Sequence, residues 1–314
     1  MSRGRRAMAG RVLLWIAAGL LFLWSCGAFR FQLPPALFGA GVALAACVAL
    51  AIGLLARRRL LPAWIALALA VLAAAGWWAS IRPSNDRDWA PDVAHGVTGE
   101  VDGPEIVLRN VRAFDWRGED DFTPRWETRR YNLDQLRSVD LFSSTWGNPA
   151  IAHTLIGFGF ADGAHVVFSA EISRERHESF SEIGGFFKEF ELVMIAADES
   201  DIIRLRTDIR RERVSRFALT LTPQDMRALF LSYVATGDHL AARPAFYQTI
   251  TTNCTTVIFQ LARMIEPGIP MDWRILLSGY LPDYLYEHGI IRTDLPLGEV
   301  KRQALLAPGS IPPR

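Results

Sequence analysis

Aspartate and glutamate are missing from the first 85 of the 314 residues; the first acid is Asp86. This excludes an ordinary solvated N-terminal domain, whose surface would carry charges of both signs. Cysteine is scarce as well. Of the three, Cys26 and Cys47 lie in the apolar N-terminal third and only Cys254 lies beyond it. None is placed to form an obvious disulfide, and no pair of the CxxC or HxxxH kind marks a zinc site. Basic stripes with interleaved aromatics are lacking, which speaks against a nucleic-acid partner. Internal repeats and low-complexity tracts are also absent.

Three apolar stretches fill the acid-free region: Val12 to Phe29, Ala36 to Ala56, and Leu61 to Ser80. Each approaches the ~20 residues an α-helix needs to cross a bilayer. Arg3, Arg5, Arg6 and Arg11 precede the first, and Arg57, Arg58 and Arg59 separate the second from the third. The loop between the first two holds only Arg30. By the positive-inside rule the N-terminus and the triple-arginine loop are cytoplasmic, and all that follows Trp77 and Trp78 is delivered to the outer side. The N-terminus shares features with a signal peptide, and Leu23 to Gly27 with a lipoprotein cleavage box at Cys26. Trp24 is too large for such a site and two further spans follow, so an uncleaved anchor over residues 1–82 is expected. A reporter fused after Pro83 is expected to be active only in the periplasm, and one fused in the Arg57–Arg59 loop only in the cytoplasm; the reverse pattern overturns this topology.

Residues 83–103, rich in Asp, Pro and Gly, read as a linker. A single domain is expected over 104–314. Eight of the 34 basic residues precede position 82, which leaves 26 against 33 acids, a net charge of −7 for the rest of the chain. Strand patterns occur at Glu105–Trp116, Arg125–Tyr131, Glu191–Ala197 and Phe217–Leu221. Residues 198–213 read as a charged, solvated surface helix. A helix runs from Pro223 to about Thr236 behind the N-cap Thr222, and a short one lies near Asp283–His288.

Two places carry candidate chemistry. Thr251 to Thr256 leads into an apolar run of helical spacing that ends at Pro267, with Asn253 as N-cap. Cys254 therefore stands at a helix N-terminus, where the helix dipole favours the thiolate; a packing cysteine in the core is the competing reading. A hundred residues earlier, two apolar runs flank Ala161-Asp162-Gly163, the mark of a hairpin. His153 begins its first strand and Glu171 nearly ends its second, so the two are neighbours. Glu171 can bind one ring nitrogen of His153 and leave the other free to take a proton from Cys254. A helix-borne Cys facing a strand-borne His is the papain-like arrangement, here with the His ahead of the Cys. His165, just past the turn, is a second candidate to orient His153. Tyr247 is a candidate oxyanion donor, beside the backbone N–H of Cys254. Residues 174–188 look like a mobile loop beside the site, in which Phe186 and Phe187 either pack in the core or wall a cleft for an acyl chain. The same His153, His165, Glu171 and Cys254 could in principle surround a zinc ion, although no metal or other cofactor is expected.

The segments NVRAFDWRGEDDFTPRWETRRYNL, AHTLIGFGFADG, FSAEISRE, IIRLRTDIR and AFYQTITTNCTT together resemble the Lnb N-terminal periplasmic domain family over about Trp89 to Met264. One departure is Thr252, where a second Asn before Asn253 is expected. That family is similar to circularly permuted papain-like enzymes, the NlpC/P60 and lecithin–retinol acyltransferase group. The fold expected is three transmembrane helices, read from the apolar stretches, followed by the α+β permuted papain-like domain that the resemblance implies, with Cys254 as nucleophile, His153 as base and Glu171 as orienter. The resemblance also implies acyl transfer or hydrolysis through a thioester, with inner-membrane lipid, lipoprotein or another acyl-lipid as partner. Two other functions remain open at this point: an NlpC/P60-like amidase on peptidoglycan peptides, and a tethered binding or sensor domain without catalysis.

Overall fold

The structure, a computed structural model, describes residues 3–265 and 268–312; the helix stop expected at Pro267 lies outside them. The chain divides into two units, residues 1–83 with 181–189, and residues 84–180 with 190–314.

The first unit is built on α1 (Arg3–Gln32), α2 (Pro35–Arg58) and α3 (Leu60–Ser80). All three are long and apolar enough to cross a membrane. Leu14, Ala18, Ile52, Ala56, Ala63 and Leu67 form their shared buried cluster. Large apolar side chains such as Leu20, Leu50 and Leu72 face outward, the pattern of helices whose solvent is lipid. Residues 181–189 pack with these helices. Phe187 stacks on Phe31 with ring centroids 5.6 Å apart. The side-chain amide of Gln32 donates to the carbonyls of Phe187 and Lys188, at 2.7 and 2.8 Å. The ammonium of Lys188 donates to the carbonyl of Trp78 at 2.7 Å. Phe187 does not take the expected place in the sheet core: it joins the membrane helices, where Phe31 offers it a flat aromatic partner. Phe186 is 46% exposed.

The second unit is a mixed sheet with helices. Its strands are β1 (Thr98–Asp102), β2 (Glu105–Arg112), β3 (Asp115–Trp116), β4 (Phe122–Thr123), β5 (Trp126–Asn132), β6 (Leu136–Thr145), β7 (Ala152–Phe160), β8 (His165–Ser173), β9 (Glu191–Ala197) and β10 (Arg213–Ala218). The main sheet runs β1-β2-β9-β8-β7-β6-β10, with β5 also paired to β2; β3 and β4 form a separate small hairpin. Only the short β2–β9 contact is parallel among the pairings of this sheet. The helices are α4 (Glu199–Arg204), α5 (Pro223–Ala242), α6 (Cys254–Ile265), α7 (Trp273–Leu276), α8 (Leu281–Glu287) and α9 (Leu297–Ala304).

Alternation along the strands sorts the core into two layers. Ile156 and Phe158 of β7 and Phe168 of β8 pack with Phe230 and Tyr233 of α5 and Val257 of α6. Leu155 and Val167, one residue out of phase, pack with Ile202 and Ile203 of α4. Phe158, Phe168 and Phe230 meet edge to face with centroids 5.0 to 5.7 Å apart, a geometry that adds about 0.5–1.5 kcal/mol per pair beyond area burial.

Three expectations are corrected. Residues 84–103 are folded onto the second unit and contribute β1: Trp89, Ala90, Val93 and Val97 are buried, and the Val97 N–H donates to Met194. Polar composition hid a segment that binds through backbone and a few large side chains. Strand β6 was not anticipated, because Arg137, Ser138, Asp140, Ser143 and Ser144 break its apolar pattern. Its buried polar groups find specific partners, Arg216 for Asp140 at 2.6 Å and Glu212 for Ser144 at 2.5 Å. Residues 198–213 are not a solvated helix. They form α4 and a π turn over Leu205–Ile209, with Asp201, Arg206 and Thr207 buried.

Candidate functional site

The site lies at the end of the sheet where β7 begins. The β7–β8 ladder pairs Gly159 with His165 through to Ile156 with Phe168. Carried three residues further, that register sets Glu171 opposite His153. The Asp-Gly turn that determines it has Gly163 at a φ of +86°, a conformation that only glycine adopts without strain. Ser169, His153 and Glu171 then share one face by strand parity. The Nε2 of His153 lies 3.0 Å from Glu171 Oε1 and 2.7 Å from Ser169 Oγ. The Ser169 hydroxyl donates to Glu171 Oε1 at 2.7 Å.

The start of β7 is held from the far end of the chain. The Ser278 hydroxyl accepts from the Ala152 N–H at 2.8 Å and donates to its carbonyl at 2.6 Å. A Cβ on Gly279 would meet the carbonyl oxygen of Pro149 at 1.9 Å, so only glycine permits this approach.

Helix α6 is started by the cap the sequence indicates. Asn253 Oδ1 accepts from the N–H groups of Thr255 and Thr256, at 3.0 and 2.8 Å, and its own amide donates to Thr249 at 2.7 Å. A cap of this kind stabilises a helix by about 1 kcal/mol. It occupies those two donors and leaves the N–H of Cys254, at the first helical position, with no acceptor inside the helix. Cys254 is 9% exposed. Its sulfur lies 4.0 Å from the Ala152 carbonyl oxygen.

The charges are coupled. Burial alone pushes the Cys254 thiol up, but the His153 cation and the N–H and hydroxyl of Thr154 outweigh it and bring the thiol down to about 6. Burial likewise disfavours the charged imidazole; Glu171 overcomes this against the opposing effect of Arg206, and with the thiolate raises His153 to about 9. Burial would lift the Glu171 carboxyl too, yet His153, Arg206 and Ser169 hold it well below the usual carboxylate range. Thiolate and imidazolium therefore coexist between about pH 6 and pH 9. Nε2 is taken by Glu171 and Ser169, so Nδ1 is the ring nitrogen left for the sulfur. Such an ion pair can attack a carbonyl and return a proton to a leaving group.

Cys254, His153 and Glu171 are thus brought together. Asn253 acts on the site through its cap. Tyr247 is half-buried against the core cluster that contains Cys254, its N–H bonded to the Phe190 carbonyl at 3.0 Å. His165 sits at the other end of the hairpin, 3.3 Å from Glu199, so it neither orients His153 nor joins Cys254 around a metal. Among the described residues no group of three or more His, Cys, Asp or Glu side chains is placed to hold a metal ion. Two site residues were missed. Ser169 was detectable as the same-face position two before Glu171. Arg206, which donates to Glu171 at 3.1 Å and lies 3.3 Å from Glu212, had no local signal, since a π turn places it in a segment that looks solvated.

Fold and site together define a membrane-anchored α/β-layered domain with a buried Cys–His–Glu cluster at a helix N-terminus. The chain belongs to the Lnb N-terminal periplasmic domain family, whose model matches residues 122–279, half of its length. It is accordingly an inner-membrane protein with its C-terminal domain in the periplasm. Comparison with curated proteins and with solved structures returns no match.

Proposed function

We propose that the periplasmic domain is a permuted papain-like thiol enzyme, an acyltransferase or hydrolase acting on lipoprotein or lipid acyl groups at the inner membrane. The observation that supports this most is the position of His153, with Nε2 on Glu171 and Ser169 and a pKa raised first by Glu171 and then by the neighbouring thiolate. The Cys254 thiolate attacks an ester carbonyl carbon and a C–S bond forms. The developing oxyanion meets the free N–H of Cys254 at the positive end of α6. The C–O bond then breaks, and the leaving alcohol takes its proton from the His153 imidazolium. An amine or water attacks the resulting thioester and gives a proton back to His153; the C–S bond breaks and the thiolate is restored. Arg206 donates to the same Glu171 oxygen that faces His153 and helps keep the carboxylate ionised.

Full-length protein in nanodiscs, incubated separately with phospholipid, diacyl lipopeptide and muropeptide, tests the reading by intact-mass measurement. The expected result is an adduct of one acyl chain on Cys254, removed by hydroxylamine and absent in Cys254→Ala. An adduct that persists in Cys254→Ala rules out the thioester. Muropeptide cleavage without any acyl adduct moves the assignment to a peptidoglycan amidase.

A further inference from the structure

The three membrane helices are packed unevenly along their length. Toward the cytoplasmic end they are closed: a Cβ on Gly53 would fall 2.2 Å from the ring of Trp15, and the buried cluster lies at this level. Toward the periplasmic end they part around a cavity of about 350 Å³. Its wall includes Ala45 and Ala49 of α2 and Ala73 of α3, and its depth runs along α1 from Ala18 to Phe29. Small residues on membrane helices usually let backbones close on each other; here they border open space instead. At the outer end Phe29 and Trp77 stand with ring centroids 5.3 Å apart.

We propose that this cavity holds one acyl chain of an outer-leaflet phospholipid, as a resident lipid independent of the chemistry at Cys254. Three features select that occupant. The wall is almost wholly apolar, and an apolar cavity does not retain water. From Ala18 to Phe29 the helix rises about 16 Å, close to the ~15 Å of hydrocarbon in one leaflet. Just beyond the aromatic end stand the exposed Arg30 and Arg82, which complement a phosphodiester; the acids of this unit, Glu182 and Glu189, both lie on the 181–189 loop.

The test uses the full chain in nanodiscs containing a phospholipid with a diazirine in its acyl chain. Peptide mapping after photolysis is expected to place crosslinks on the Ala45–Ala49 face of α2 and at Ala73. Filling the cavity with Ala49→Phe and Ala73→Phe is expected to reduce them about tenfold, as a few buried methylene contacts are lost, while crosslinks at the outward Leu50 and Leu72 stay unchanged. Should the double variant misfold, wild type and Ala49→Leu are compared by native mass spectrometry for phospholipid retained after detergent extraction, with loss expected in the variant. Even labelling of both faces of α2, insensitive to filling, means annular lipid only and overturns the proposal. So does purified wild type that retains no phospholipid. Displacement of the probe by a diacyl lipopeptide, but not by plain phospholipid, assigns the cavity to a lipoprotein chain instead. Cys254→Ala is expected to crosslink like wild type, which separates this result from the fate of the proposed enzymatic activity.

Discussion

Replacing His153 with alanine is expected to move the pH at which Cys254 becomes reactive from about 6 up into the range of an ordinary buried thiol. In the native site the imidazolium is the main group that offsets burial of the sulfur and brings it down to about 6. The sign follows directly. Alkylation by iodoacetamide rises as pH passes upward through the thiol's pKa, so the wild-type curve is nearly flat above pH 7 and that of His153→Ala is still climbing at pH 9. At pH 7 the thiolate fraction falls about a hundredfold if the thiol returns to about 9, because each pH unit below the pKa costs a factor of ten. A more basic thiolate is intrinsically more nucleophilic, with a slope of about 0.4–0.5, so the rate itself drops only about three- to sixfold. The position of the inflection is therefore the sharper readout. Turnover should show both limbs, rising near pH 6 and declining near pH 9 as the imidazolium loses its proton. Glu171→Gln should lower the upper limb and retain measurable turnover, because an orienting carboxylate contributes less than the nucleophile it serves. An unchanged inflection in His153→Ala would falsify the ion pair and return Cys254 to a packing role.

The largest expected loss of stability lies elsewhere, at Asp201. Its carboxylate accepts from Arg112 twice, through Nε and Nη2 at 3.0 Å each. It also accepts from the Phe114 N–H at 2.8 Å and the Trp116 indole N–H at 2.7 Å. Arg112 is 3% and Asp201 0% exposed. Burial works against the charge on Arg112, and Asp201 outweighs it. Asp201→Ala leaves a buried guanidinium without its counter-ion, and the Phe114 N–H and Trp116 indole N–H without an acceptor. Removing one partner of a buried pair costs about 3–5 kcal/mol. For a domain of this size that corresponds to a fall in Tm of roughly 6–20 °C. Thermal unfolding followed through tryptophan fluorescence measures it, since the Trp116 indole loses its acceptor in the variant. A shift below about 2 °C would show that water or a rearranged side chain replaces the carboxylate and that the pair is not central to the fold. Arg174, which holds Asp92 bidentately at 3.0 and 3.1 Å, joins the same cluster, because Arg112 also donates to the Asp92 carbonyl.

Local pattern was enough for the parts of this protein whose physics is local. Three acid-free apolar stretches with asymmetric arginines determine spans and topology, because lipid admits few other solutions. The hairpin carrying His153 and Glu171 follows from an Asp-Gly turn and strand period two, which together set the register. The cap at Asn253 follows from side-chain chemistry within three residues of Cys254. Partners distant in sequence were decided only by the tertiary structure. Arg206 reaches Glu171 through a π turn that no periodicity announces. Strand β6 is legible only once Arg216 and Glu212 are seen to satisfy its buried polar groups. Phe187 joins the membrane helices because Gly27 leaves room for its ring and Phe31 stacks on it, a match between residues about 160 positions apart. Most of all, the pairing of Cys254 with His153 depends on Ser278 and Gly279 holding the start of β7, a clamp supplied by a part of the chain that shares no pattern with either residue.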